Sequence, residues 1–540
     1  MSKFLKRLFL PGMPIFLLVT MAACAPQTVQ PDVATERGLT IFHINDVYRI
    51  DAVEDGTAGG LGRVATLVRE AEASGHDVRI THGGDFLYPS LESQLWDGMQ
   101  MVDALNFLDA LAPLYVVIGN HETDRKTSEH LVDAVRASNF DWLGDNYRFL
   151  TGDPEVDESL HSGFMFDYEG QKIGVFAVTL HGDDGGNSRD YVPVDPDYLA
   201  AAESAITELE KNGASLIFGL THLHLWEDEE IAKLKAQHPT FRFIVGGHEH
   251  EPEFVAASKI SASVMKGASN ARAIWRIDLD LDDNGVLQVA RTEAIRLNEK
   301  IASDAAYDQL AGKWRARMLE KFPFLTARVG VAALPMDARE AFIRNQESPW
   351  GDFIVDQMRR AFGAPDADFA FINSGTLRLD DVVSGDILFE DIGRTFGFSS
   401  MLRILELSGA EFRTLLEAGY RGDGPSQGYF PQVSGFRVCV DFSRDAGERI
   451  VSMQVPDGGA WHEIEPARNY SVVVPDFLYG GGDGYRFPPG RKASRPASEL
   501  KYLVLDGIMA LQAEGKQVGT PVDPVNPRIR ILSDAVNRCW

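Results

Sequence analysis

Cysteine is scarce: Cys24, Cys439 and Cys539 are the only three in 540 residues. Three cannot build a disulfide framework. Cys439 and Cys539 are read as two unpaired buried thiols, with a bridge between them as the alternative. Basic charge is also in deficit, with 52 Lys and Arg against 79 Asp and Glu and a net charge of −27. A phosphate polymer needs a basic surface, so nucleic acid is excluded as a backbone-bound partner. A small phosphate ester is not excluded, because a bound metal can invert the local field. Long apolar runs are missing except near the start, where Leu8 to Ala23 is broken by Pro11 and Pro14. That run is short for a membrane span. The remainder is ordinary for a soluble globular protein, with 44% hydrophobic and 24% charged residues. The length is about three to four typical domains, so more than one core is expected.

The N-terminus reads as an address. Lys3, Lys6 and Arg7 precede the apolar run, in the layout of a signal peptide over residues 1–23. The run ends in Met21-Ala22-Ala23-Cys24, which resembles the lipobox of bacterial lipoproteins, although methionine stands where leucine is usual. The resemblance implies a lipid on Cys24 and a membrane partner, hence a periplasmic or cell-surface protein. Plain secretion with cleavage nearby is the alternative. Residues 24–38 carry prolines and no apolar periodicity, as a tether would.

One pattern repeats over the next 260 residues or so. Leu39–Ile44 is an apolar run ending in Asn45-Asp46, and Val78–Thr81 leads to Gly83-Gly84-Asp85. Tyr115–Ile118 leads to Gly119-Asn120-His121-Glu122, and Ser215–Leu220 to Thr221-His222-Leu223-His224. Phe241–Val245 leads to Gly246-Gly247-His248-Glu249-His250. Each run has the length and β-branched content of a buried strand. Between them lie helical spacings such as Met101, Val102, Leu105, Leu108 and Leu111. Alternating strands and helices predict a layered α/β core, with the polar residues converging at the carboxyl edge of the sheet.

Two aspartates, an asparagine and three histidines form a donor set of hard oxygens and imidazole nitrogens. It suits zinc, manganese, cobalt or iron better than calcium. Two such ions activate water and clamp the attacking and leaving oxygens of a phosphoryl transfer. Taken singly, a buried Asp or His is more often a satisfied structural residue. Five in order, each after a strand candidate, are hard to reach by chance.

These motifs resemble the series found in the calcineurin-like metallophosphoesterases. The strings Gly84-Asp85-Phe86-Leu87-Tyr88-Pro89-Ser90 and Gly119-Asn120-His121-Glu122-Thr123-Asp124 resemble one branch, the 5′-nucleotidases with their UDP-sugar hydrolase and cyclic phosphodiesterase relatives. The resemblance implies two divalent metal ions. Asp85 would bridge them, Asp46 and His250 would hold the first, and Asn120, His222 and His248 the second. His121 and Asp124 match the catalytic pair, the histidine stabilising charge on the phosphoryl group. His224 matches no ligand and is assigned to the surroundings of the site. The family has Asp-x-His after its first strand, whereas here the run is Asp46-Val47-Tyr48. Tyr48 could ligate, yield to water, or leave the first position weak. An occupied but weakened position is the reading adopted.

The second half resembles the nucleotidase C-terminal domain. Arg344 to Asp352, the loop Asn373-Ser374-Gly375-Thr376-Leu377-Arg378, and the segments around Phe430 and Tyr485 carry this match. It implies that Arg344, Asn373, Gly375 and Arg378 hold the anionic and polar groups of a nucleotide, while Phe430 and Tyr485 sandwich its base. Core aromatics are the competing reading, but Gly, Pro and Asp around both residues mark exposed loops. The expected fold is α/β, a layered metallophosphoesterase β-sandwich flanked by helices, followed by a second α/β nucleotidase C-terminal domain. Its expected bounds are 39–298 for the first domain, 299–325 for a linker helix and 326–540 for the second. The implied activity is hydrolysis of nucleotide phosphate esters for nucleotide catabolism and scavenging outside the cytoplasm. UDP-sugar or 2′,3′-cyclic nucleotide hydrolysis is the alternative, as is an impaired nucleotide-binding lipoprotein.

Overall fold

The structure is a computed structural model. It describes residues 38–540 apart from 182–188, 423, 425, 495 and 534. The signal, lipobox and most of the tether therefore lie outside the described residues.

The strands of the first half are β1 (Leu39–Ile44), β2 (Asp77–His82), β3 (Leu114–Val116), β4 (Asp141–Trp142), β5 (Phe164–Tyr168), β6 (Gln171–Thr179), β7 (Leu216–His222), β8 (Phe241–Gly247), β9 (Glu253–Val255), β10 (Ser263–Lys266), β11 (Ala273–Leu281) and β12 (Leu287–Arg296). They form two six-stranded sheets, in the orders β12-β11-β1-β2-β3-β4 and β5-β6-β7-β8-β10-β9. β1 to β4 are parallel, as are β6, β7, β8 and β10, while β11, β12, β5 and β9 join antiparallel at the edges. Parallel strands are covered on both faces, which is why they read as continuous apolar runs. Ile41, Ile80 and Val116 of the first sheet and Val175, Phe218 and Val245 of the second share one core between the sheets. The outer face of the second sheet is closed by Ile206, Leu209 and Ile231 from helices Tyr198–Lys211 and Leu225–Ala232. Parallel registry brings Ile44 beside His82, and Thr179, His222 and Gly247 side by side. The polar loops therefore emerge at common sheet edges.

Helix Ala305–Lys321 follows β12. Asp304 caps it, accepting from the Ala306 and Tyr307 amides at 2.9 and 3.0 Å. Tyr307 and Ala311 enter the first-half core, and Met318 packs with Leu91 and Leu325. Trp314 donates to Asp103 at 3.0 Å and Arg315 grips Glu390, so the helix is tied to both halves.

The second half has a four-stranded sheet ordered 402–408, 469–475, 369–373 and 431–434. Another is ordered 460–463, 450–457, 437–440 and 529–531. Helix Pro349–Arg360 buries Trp350, Ile354 and Met358 against the first of them.

Cys439 and Cys539 are joined in a disulfide, with Cα atoms 5.5 Å apart. This corrects the expectation of two free thiols. The cause is tertiary: strand Ile529–Ile531 returns to pair in parallel with Arg437–Val440 and brings the last residues back to Cys439. A spacing of 100 residues gives no local hint of that return. Closing so long a loop restrains the unfolded chain, so Cys539→Ser should lower unfolding free energy by about 2–4 kcal/mol. Equilibrium denaturation of the oxidised protein measures this, and an unchanged midpoint would contradict it.

Candidate active site

The predicted ligands meet in one place. Asp46, Asp85 and His222 each turn a ligand atom into a cluster whose atoms all lie within 4.8 Å of one another. Asp46 and Asp85 are held with φ of 53° and 61°, and His248 with φ of 80°. Such left-handed backbone is uncommon for residues other than glycine, and it re-aims each side chain as it leaves its strand. Gly84 makes a tight turn with positive φ: a Cβ there would collide with the Gly119 amide and the His222 ring.

Hydrogen bonds fix each donor's aim. The Glu122 carboxylate accepts from the amides of Asp85, Phe86, Leu87 and Gly119 at 2.6–3.0 Å. Asn45 donates to Asp46 Oδ2 at 2.7 Å and accepts from the Gly267 amide. His222 places Nδ1 2.6 Å from the Gly83 carbonyl, which fixes the tautomer. Its Nε2 then faces Asn120 Oδ1 at 3.1 Å and Asp85 Oδ2 at 3.5 Å. The His248 ring stands 5.3 Å from that of His222, centroid to centroid. His250 Nε2 lies 3.6 Å from Asp46 Oδ1. His224 is the N-cap of helix Leu225–Ala232 and sets its ring 4.4 Å from His248, beside the cluster.

The electrostatics fit a cation. Burial, reinforced by Asp85, pushes the Asp46 carboxyl up to about 7, and burial with Glu122 does the same to Asp85. Burial lowers His222, His248 and His250, so their imidazoles are neutral and carry free lone pairs. Paired buried carboxylates that resist ionisation beside neutral imidazoles are what divalent ions would complete. Asp46, Asp85 and His250 could hold one, and Asp85, Asn120, His222 and His248 another.

His121 behaves differently. Burial works to lower it, but Asp124 and Asp85 outweigh burial and raise it to about 9. Its Nδ1 pairs with Asp124 Oδ2 at 2.9 Å, and Arg378 Nη2 stands 3.3 Å from its Nε2. An imidazolium held by a carboxylate is a fixed donor for an anion.

The second half closes over the same place. Arg344, Asn373, Gly375, Arg378, Phe398, Arg421, Tyr429, Phe477 and Asp483 line one cleft of about 1640 Å³ with Asp85, Asn120, His121 and His248. Arg344 Nε and Arg378 Nε have no hydrogen-bond partner among the described residues, and Arg378 Nη1 lies 3.6 Å from Glu340 Oε1. Asn373 donates to Asp483 Oδ2 at 2.7 Å and accepts from Thr376. The Gly375 amide donates to the Gly428 carbonyl at 2.7 Å, joining the two loops. Burial works to raise the Glu340 carboxyl, but Arg344 and His250 hold it well below the usual range.

Two family models match in chain order. Calcineurin-like phosphoesterase covers residues 39–252, and 5′-nucleotidase, C-terminal domain covers 328–488. The chain belongs to the 5′-nucleotidase family of calcineurin-like phosphoesterases. It is 24% identical over 551 residues to a snake venom 5′-nucleotidase of Gloydius brevicauda, covering 91% of this chain and 89% of that protein. It is 22% identical over 518 residues to a 5′-nucleotidase of Bos taurus, covering 87% and 88%. Among solved structures, a 5′-nucleotidase precursor of Thermus thermophilus superposes with a TM-score of 0.77 at 22% identity, covering 92% of this chain and 100% of that one. The shared fold is mixed α/β, and the family makes this chain a hydrolase.

Two sequence expectations fail here. Phe430 is 1% exposed and packs edge-on against Tyr420, and Tyr485 is fully buried against Phe371 with its hydroxyl on the Tyr429 carbonyl. Neither lines the cleft. Phe430 directly precedes strand Pro431–Ser434, which is buried throughout, so the chain has already turned inward. Tyr485 ends the Gly482–Gly484 turn pointing back into the core. The glycines marked surface loops correctly but not the direction of the aromatic that ends each loop. The aromatics that line the cleft include Phe398, Tyr429 and Phe477 from the second half and Tyr88 and Trp226 from the first. Phe477 and Asp483 could have been found, since both follow strand Asn469–Pro475 as the first-half donors follow theirs.

Tyr48 stands inside the ligand cluster. Its hydroxyl lies 3.2 Å from Asp46 Oδ1, 3.2 Å from Asp85 Oδ2 and 3.1 Å from His250 Nε2. Burial and the two carboxylates hold the phenol well above its usual range, so it is a neutral donor that competes for carboxylate lone pairs. On the expectation of two divalent ions, Tyr48→His should tighten the weaker of them and raise activity at low metal concentration. Elemental analysis reads this; two equally tight ions in the native protein, unchanged by the substitution, would refute it.

Proposed function

We propose that the cleft hydrolyses the phosphate ester of a nucleotide, with residues 39–298 supplying the reaction centre and 326–540 the nucleotide-binding surface. The observation that carries this reading is the meeting, in one cleft, of a two-carboxylate, three-imidazole cluster with the Arg344 and Arg378 guanidinium groups and aromatic rings. Two divalent ions bound by Asp46, Asp85, Asn120, His222, His248 and His250 would supply a water nucleophile and neutralise phosphate charge. The chain's own groups do the rest. Asp124 keeps His121 charged and oriented toward the developing charge on the phosphoryl oxygens. Arg344 and Arg378 offer planar donor forks to the anion. Asp483, set by Asn373, is the acceptor placed for sugar hydroxyls. Arg421 stands over the Tyr429 ring at 3.6 Å, and Phe477, 39% exposed, is the ring offered to a base.

Export as a lipoprotein rests on Lys3 to Cys24 and is consistent with the Cys439–Cys539 bridge, since such bridges persist in oxidising compartments. Among the described residues no helix is long and apolar enough to cross a membrane.

Purified protein should release phosphate from nucleoside monophosphates, and chelation or Asp85→Ala should remove turnover by several orders of magnitude. Activity that survives both would overturn the proposal. Phe477→Ala should raise KM for a nucleoside monophosphate about tenfold while leaving p-nitrophenyl phosphate hydrolysis nearly unchanged. Equal losses on both substrates would make the ring structural. Phe430→Ala should instead cost about 3–5 kcal/mol of stability with no substrate discrimination. Cys24→Ser should abolish lipid labelling and release the protein from membranes, and retention on membranes would refute the anchor.

A further inference from the structure

Glu340 opens the short helix Glu340–Ile343 in the second half and is 2% exposed. Its backbone amide is fixed on Asp380 Oδ1 at 3.1 Å. Oε1 accepts from Arg344 Nη2 at 2.8 Å. Oε2 accepts from Ser269 Oγ at 2.8 Å and faces His250 Nδ1 at 2.7 Å. The last contact crosses from the second half to a ligand of the first. Three of the other ligands are oriented from within their own half: His222 by the Gly83 carbonyl, Asp46 by Asn45, and Asp85 by the His121 amide.

We propose that Glu340 is a positioning residue for His250, completing the first cation position from across the cleft. A carboxylate only accepts, so Nδ1 carries the proton toward Glu340. Arg344 Nη2, 3.1 Å from the same nitrogen, has its own acceptor in Oε1. Nε2 is then the free lone pair, turned to Asp46 and Tyr48. An imidazole backed by a carboxylate is a more basic ligand in a fixed orientation. This matters more here than at the second position. With tyrosine where the family resemblance puts a histidine, the His250 ring is the imidazole that faces both Asp46 Oδ1 and the Tyr48 hydroxyl, at 3.6 and 3.1 Å. The Arg344 fork and the His250 ring share one carboxylate, so anion binding and cation binding are linked through Glu340.

This inference rests on the two-cation reading of the cleft, and its test does not use turnover. Chelator-stripped full-length protein is titrated calorimetrically with Mn²⁺, native and Glu340→Gln. The glutamine keeps the shape and loses the charge. One of the two affinities should weaken about 10–100-fold while the other stays native. A folded Glu340→Gln protein with both affinities native overturns the proposal, and so does equal weakening of both, which marks general damage. Should the variant not fold, hydrogen exchange of the native protein decides: Mn²⁺ should slow exchange across residues 340–344, and unchanged exchange there overturns it. Absence of phosphate release from the native protein would count against the proposed activity alone, because the affinities are read separately.

Discussion

One buried carboxylate organises the reaction centre. Glu122 is fully buried and gathers the amides of Asp85, Phe86, Leu87 and Gly119, binding the loops after β2 and β3 into one unit. Its removal would strand those donors in the core. The position of Asp85 depends on it directly. The positions of Asn120, His121 and Asp124 depend on it through the short helical turn that Glu122 itself occupies. The other half of the cluster is set by sheet registry, which places His222 and Gly247 on neighbouring strands.

The charge distribution answers the acidity of the chain. A net charge of −27 does not favour an anionic substrate at long range. Within the cleft Arg344, Arg378 and Arg421 bring basic groups to the second-half wall, and Arg378 lies between the Tyr48 and Phe398 rings at 5.2 and 5.3 Å.

The legible parts of this protein were those in which function follows a strand end. Asp46, Asp85, Asn120, His222 and His248 each come just after an apolar run, and the structure gathers them where such runs end. Residues whose meaning depends on partners far along the chain were not legible. Cys439 meets Cys539 through a returning strand, and Glu340 meets His250 across 90 residues. Phe430 and Tyr485 lay within a residue or a short turn of the cleft, yet pack in the core. A loop's composition reports that the chain turns, while the direction of one ring depends on what it packs against.

The left-handed backbone at Asp46, Asp85 and His248 has an evolutionary consequence. Each such conformation costs of order 1–3 kcal/mol in a residue with a side chain, and glycine relieves it. Two of the three also bury carboxylates that resist ionisation. Glycine at any of these positions would therefore relax the fold while destroying the cluster. In a lineage that lost its need for the reaction, drift would erase these residues first. At these three positions backbone strain is retained where the ligand cluster is built.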